Sequence, residues 1–317
     1  MSIKTFLKKN VVGSQNKFVN TVGKCMYKWF SDSKLVYSIR FCPDMDDEKY
    51  IVRKYKRIFH TAPNLVSPQN FNEKNNWRKL HDHRNIYTSM VDKYKLKEIV
   101  CEKCGKGYTF PLIGVWDKPQ DIDFSTLPDQ FVLKVNHAGG VIVCRSKTSF
   151  NIQEAVADLM REQMRDYFPM SREWPYKNVE RKIICEQYMG ENLTDYKNYC
   201  FNGKMLYSFV WKNESRADGR KPEAFFCGAY DREWKKTGID IDYPSRTDVI
   251  DKPDCYDEMV VIAEKMSAGI PFVRVDCYII NNHVYVGEMT FFPWGGFQKF
   301  KDEYWNDYLG QLEKLPQ

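Results

Sequence analysis

Residues 272–297 read FVRVDCYIINNHVYVGEMTFFPWGGF. Two alternating runs rich in β-branched and aromatic residues flank Asn281-Asn282-His283, which is the signature of a β-hairpin. If those three residues form the loop, Ile280 pairs with Val284, Asp276 falls opposite Glu288, and Arg274 falls opposite Thr290, all on one face. Val273, Val275, Cys277 and Ile279 then make the other, apolar face. Carboxylates directly across a strand pair repel. A divalent cation between them relieves the repulsion, and hard oxygen donors of this kind suit Mg²⁺. A two-residue turn puts Glu288 on the opposite face, and the spacing alone does not choose between the two registers. A solvated polar face without metal is the competing reading.

Upstream, FVLKVNHAGGVIVC (131–144) reads as a strand over 131–135 with Lys134 near its end, a turn over 136–140, and a second strand over 141–144. Gly139 and Gly140 let backbone N–H groups approach a phosphate, and a lysine adds a point charge. KIICEQYM (182–189) is a buried strand carrying Glu186, and DYKNYCFNG (195–203) opens a hairpin turning at Asn202-Gly203. Asp195 and Lys197 lie two apart and share a strand face. Taken singly, each of these is matched by an ordinary alternative: a Gly-Gly hairpin or a surface ion pair.

Helical periodicity covers 77–104, 151–168 and 256–268, and further strands are read from Pro111. In 151–168 the stripe is Ile152, Ala155, Val156, Leu159, Met160 and Met164. Strands and helices interleave with prominent hairpins, so the fold class is α+β. Four regions follow: a basic helical region over 1–75, turn-prone from Thr61; a lobe over 76–130; a small glycine-loop subdomain over 131–190; and a larger one over 191–317 with the metal site. A charged, glycine-containing loop over 212–228, with Arg216, Arg220 and Lys221, is a candidate lid.

The net charge of +6 is uneven. Residues 1–60 hold 13 Lys/Arg against 5 Asp/Glu, and the rest hold 35 against 37. Residues 17–30 form a basic amphipathic pattern, suited either to packing on the body or to peripheral contact with an anionic membrane or polymer. No nucleic-acid motif accompanies it. There is no run of ~18 apolar residues and no secretory signal, and the ten cysteines are scattered, so a cytoplasmic protein is expected, with residues 17–30 as its one candidate for contact with the inner face of the cell membrane. Cys101 and Cys104 form a lone CxxC without a second pair, read as two thiols near a turn. Asp44-Met45-Asp46 has sugar-nucleotide metal spacing but sits in an acidic turn.

In order and spacing, PQNFNEKNNWRKLHDHRNIYTSMVDKYKLKEIV (68–100), PLIGVWDKPQDIDFSTLPDQFVLKVNHAGG (111–140), REWPYKNVERKIICEQYM (172–189), DYKNYCFNGK (195–204) and the 272–297 hairpin resemble the TupA-like family of the ATP-grasp superfamily. The resemblance covers roughly residues 65–300. It implies an ATP-grasp fold, two α+β subdomains clasping ATP. Lys134 is then a phosphate lysine, with Lys93 as the other and Lys95 and Lys97 as competitors. The loop with His137, Gly139 and Gly140 closes over the triphosphate. Glu186, Tyr188 and Met189 form the adenine hinge, Asp195 holds the ribose, and Lys197 approaches the γ-phosphate. Asp276, Glu288 and Thr290 are the Mg²⁺ ligands, threonine standing where many superfamily members have asparagine, and Arg274 stabilises the tetrahedral intermediate.

The activity so implied is ATP-dependent carboxylate–amine ligation through an acyl phosphate. Its substrates are a small carboxylate and an amine, attaching an amino acid to a uronic-acid-containing bacterial surface polysaccharide or its lipid-linked or polymeric precursor. Two alternatives stand beside it: a phosphotransferase acting on a sugar hydroxyl, and a non-catalytic anionic-polymer or membrane-binding protein.

Overall fold

The structure, a computed structural model, describes residues 34–214 and 223–316. The basic stretch over 17–30, and Arg216, Arg220 and Lys221 of the expected lid, lie outside these residues.

The chain enters through α1 (Lys34–Phe41) and α2 (Asp47–Phe59). Asp46 is the N-cap of α2, its carboxylate accepting from the Lys49 N–H at 3.0 Å. The helical region expected over 77–104 is three helices, α3 (Phe71–His81), α4 (Ile86–Val91) and α5 (Lys95–Cys104). The first starts inside the stretch read as turn-prone, because Asn70 and Glu73 form a capping box there. The breaks fall at two aspartates. Asp82 gathers Arg84 at 2.9 Å and the Tyr87 hydroxyl at 3.0 Å, and Asp92 accepts from the Tyr94 N–H at 2.9 Å. Such local bonds compete with helix continuation.

A four-stranded antiparallel sheet follows, in the order β1-β4-β2-β3. Its strands are β1 (Leu112–Trp116), β2 (Phe131–Val135), β3 (Val141–Cys144) and β4 (Ile183–Gln187). Between β3 and β4 run α6 (Ile152–Met164) and α7 (Phe168–Ser171). Phe131, Leu133 and Val135 alternate inward with Leu159, Ile183 and Cys185, leaving Lys134 on the opposite face. The expected apolar stripe of α6 is buried only at Ala155 and Leu159, while Ile152, Met160 and Met164 are exposed.

The second sheet is five-stranded and antiparallel, in the order β7-β6-β5-β8-β9. It comprises β5 (Thr194–Phe201), β6 (Lys204–Glu214), β7 (Glu223–Asp231), β8 (Phe272–Ile280) and β9 (His283–Thr290), with α8 (Tyr256–Ser267) before β8 and α9 (Tyr304–Leu312) at the end. Much of the expected 212–228 loop is therefore strand, on either side of residues 215–222. Val273, Val275, Cys277, Val284 and Val286 pack on α8, α4 and α5, forming the main core behind the sheet. In front, an aromatic cluster including Phe71, Tyr199, Phe209, Trp211 and Phe226 covers the β5–β7 side. The β8–β9 side of that face is left to polar side chains. Among the described residues no helix is long and apolar enough to cross a membrane, and the nine described cysteines are free thiols.

Candidate active site

The hairpin that decides the site closes with a two-residue turn, yet Asp276 and Glu288 stand opposite each other. Asn281 (φ 52°) and Asn282 (φ 57°) supply the paired left-handed residues of a tight hairpin turn, so Ile280 pairs with His283 and not Val284. The register is restored by a β-bulge: Cys277 pairs with Val286 and Asp276 with Glu288, leaving Gly287 unmatched. A Cβ at Gly287 would lie 2.6 Å from the Tyr278 ring, so glycine is what lets the bulge form. Arg274 faces Thr290.

The repulsion between the two carboxylates is relieved by side chains already present. Arg274 grips Asp276 through Nε and Nη2, both at 2.6 Å, and also donates to the Thr290 hydroxyl at 3.0 Å. Lys197, opposite Asp276 on β5, donates to it at 3.1 Å and to Asp195 at 2.5 Å. Lys93 donates to Glu288 at 3.1 Å. Burial pushes the Asp276 carboxyl upward, but Arg274 and then Lys197 outweigh it and hold it below the usual range. Burial wins at Asp195, whose carboxyl is raised against the pull of Lys197. One oxygen of Asp195, Oδ1, is buried without a hydrogen-bond partner.

On the small sheet, Glu186 is a buried counterion for two lysines, Lys97 and Lys134, each at 2.6 Å. Burial raises its carboxyl, and the two lysines more than reverse this, leaving it low. The lysine that joins Lys134 is thus Lys97. Lys93, the residue favoured from sequence, stands instead at Glu288. The loop after β2 is tied at its base by Asn136, which accepts from the Lys182 N–H and donates to the Glu180 carbonyl, both at 2.8 Å. A Cβ at Gly140 would come within 2.7 Å of the Glu162 side chain, which would have to swing away to admit it. His137 is buried with Nε2 3.2 Å from the Arg165 carbonyl, and burial lowers its pKa to about 4. Tyr188 and Met189 follow the end of β4.

A cleft of ≈ 1250 Å³ runs between the two sheets. Gly139, Gly140 and α6 line one wall, and Asp195, Lys197, Arg274, Asp276 and Glu288 the other. Lys93, Lys134, His137, Glu186, Tyr188, Met189 and Thr290 are not among the residues lining it, and Lys134 and Glu186 are closed in an ion pair. Sequence reasoning missed Tyr278 and the aromatic residues Trp211, Tyr243 and Trp294, all of which line the cleft. Tyr278 was within reach of it, being two residues beyond Asp276 on the same face.

Among the described residues no group of three or more His, Cys, Asp or Glu side chains could hold a metal. Asp276 and Glu288 are nevertheless opposed hard-oxygen donors at the cleft, with Glu288 one-third exposed. That donor set fits Mg²⁺, which binds through one or two carboxylates together with substrate phosphates and water.

Residues 73–314 match the TupA-like ATP-grasp family. No curated protein matches the chain in sequence. Among solved structures, D-alanine–D-alanine ligase from Helicobacter pylori is 14% identical, with a TM-score of 0.41 over 72% of this chain and 61% of that one. L-Amino acid ligase from Bacillus licheniformis is 13% identical, TM-score 0.44, over 77% and 55%. N5-Carboxyaminoimidazole synthetase from Staphylococcus aureus complexed with ADP is 14% identical, TM-score 0.45, over 86% and 65%. The match thus spans less than two-thirds of each relative's length. On the match over 73–314, the chain belongs to the TupA-like ATP-grasp family.

Proposed function

We propose that the chain is an ATP-dependent carboxylate–amine ligase working through an acyl phosphate, with an amino acid and a uronic-acid-bearing saccharide as its substrate pair. The observation that carries this reading is the row Lys197–Asp276–Arg274, faced by Glu288 and turned toward the glycine loop across the cleft.

Lys134 and Lys97 are the phosphate cations of the small sheet, and they exchange Glu186 for phosphate oxygens when nucleotide enters. Asp195, with a buried oxygen lacking a partner, takes the ribose hydroxyls. Lys197 meets the γ-phosphate. Asp276 and Glu288 would hold Mg²⁺, which when bound neutralises charge on the phosphates. Arg274, fixed by both Asp276 and Thr290, is preorganised to stabilise the oxyanion that forms when the amine attacks the acyl carbon. The glycine loop and α6 exclude water, which would otherwise hydrolyse the acyl phosphate. The basic surplus of residues 1–60 supports an acceptor presented on an anionic surface, such as the inner face of a membrane.

The test is an ATP-consumption screen of uronic acids against amino acids. Phosphate release should require a matching pair, and Asp276→Asn should lower the rate by at least ~100-fold. Equal ATP hydrolysis by wild type and variant with every pair would remove the catalytic assignment.

A further inference from the structure

Across the front of the large sheet the chemistry changes from strand to strand. From β9 to β5 the facing side chains are Glu288, Asp276 and Lys197. Beyond β5, Lys197 pairs with Phe209 and Asp195 with Trp211, and Trp211 pairs with Phe226 on β7. Tyr243 closes edge-on against Trp211 at 4.8 Å between ring centroids, and Trp294 lies 5.6 Å from Tyr243. Trp211, Tyr243 and Trp294 line the same cleft as Arg274 and Asp276. The reacting centre therefore has a charged end toward Lys134 and Lys97 and an aromatic end away from them. A cleft of ≈ 1250 Å³ exceeds the roughly 300–1,000 Å³ typical of a single small-ligand site, so a second ligand has room.

We propose that this aromatic end is a subsite for a pyranose ring, seated on Trp294 and Tyr243 beside Trp211; the proposal rests on the ligase reading and names where its saccharide lies. Trp294 is 48% exposed and held at φ 55°, followed by Gly295 at 64° and Gly296 at 74°. A tryptophan in the left-handed region is strained, and it persists because its surroundings fix it. Buried Lys79 donates to the Gly295 carbonyl, and Asn76 donates to that of Gly296 at 2.7 Å. The indole is thus an exposed plane on a rigid base, costing little to order when a ligand arrives. Trp211 is 6% exposed, its indole N–H buried without an acceptor, and its ring backs that of Tyr243.

A pyranose suits such a place because it offers C–H-rich faces to aromatic planes and hydroxyls at its edge. Asn213, two residues beyond Trp211 on the same strand, also lines the cleft and supplies a polar partner at this end. An apolar amino-acid side chain would call for a closed, apolar pocket, and this end is open and polar-edged.

The experiment is saturation-transfer NMR on the full chain with glucuronate and with methyl β-D-glucopyranoside, and phenylalanine as the comparison ligand. Calorimetry with Mg·ADP on the same samples reports an intact fold. Transfer to the ring C–H protons of both sugars is expected. Trp294→Ala and Tyr243→Ala should weaken sugar binding at least tenfold with Mg·ADP affinity within twofold, and Trp294→Phe should restore most of it. A wild-type chain that binds Mg·ADP but neither sugar overturns the subsite alone. So does sugar binding unchanged in Trp294→Ala, or preferential transfer to phenylalanine. Failure of the wild type to bind Mg·ADP overturns the ligase reading, and the subsite with it.

Discussion

At the small sheet Lys134 and, from α5, Lys97 share one carboxylate, Glu186; at the large sheet Lys197, Arg274 and, from the turn before α5, Lys93 meet three, Asp195, Asp276 and Glu288. The first group carries two positive charges against one negative, a surplus of one. The second carries three against three and is balanced. A surplus cation pair in a partly buried place is a standing attraction for phosphate, and giving up Glu186 exchanges one anion for another. The balanced row instead holds its side chains in register, so that Arg274 and Lys197 point where new charge would develop. On the proposed reading, the small-sheet group binds phosphate and the large-sheet row positions the reacting groups.

Breaking the small-sheet group should give the largest change in stability. Glu186→Gln leaves two nearly buried lysines uncompensated and is expected to cost about 3–5 kcal/mol in denaturant unfolding. Mg·ADP should bind the folded variant at least as tightly as wild type, because the competing carboxylate is gone. Weaker nucleotide binding would mean that Glu186 contacts the nucleotide itself.

The next effect sharpens the role of the loop between the sheets. His137 has its pKa lowered to about 4 by burial, against an ordinary 6.5. The unfolded chain therefore binds its proton first, and stability present above about 6.5 is lost as pH falls toward 4. The loss amounts to roughly 3 kcal/mol from this group. Urea titrations across that window should show the slope flatten in His137→Leu; an unchanged slope would assign the loss to other groups.

The smallest effect tests the balanced row through the bulge that aligns it. Gly287→Val places a side chain against the Tyr278 ring and should destabilise by about 1–3 kcal/mol. Its larger consequence is chemical: ligation should fall well beyond what the stability loss explains, since Glu288 leaves its place opposite Asp276. A variant as active as wild type would show that this register is dispensable.

The sheets were legible in the sequence because alternation is strict where one face is buried. Phe131–Val135 and Val141–Cys144 are strands with the bounds expected, and Asn202-Gly203 turns the β5–β6 hairpin. The helices from 71 to 104 were less legible, because their boundaries are set by Asn70, Asp82 and Asp92 acting as local acceptors inside an otherwise continuous pattern. Within the site, Arg274, Asp276, Glu288 and Thr290 came out on one face, but by a route that spacing could not show: a shorter turn plus a bulge at Gly287. The choice between Lys93 and Lys97 was beyond one-dimensional reading, since it depends on which helix end faces which sheet. The cations that neutralise the facing carboxylates were likewise hidden, because Lys93 and Glu288 are 195 residues apart.

The central claim is that Asp276 and Glu288 meet the Mg²⁺–nucleotide complex. The most direct measurement is calorimetric titration of ADP into wild type and Glu288→Gln, each with and without Mg²⁺. Mg²⁺ should tighten ADP binding at least tenfold in wild type, and this gain should vanish in the variant while Mg²⁺-free binding stays within twofold. An equal gain from Mg²⁺ in both proteins would contradict the account.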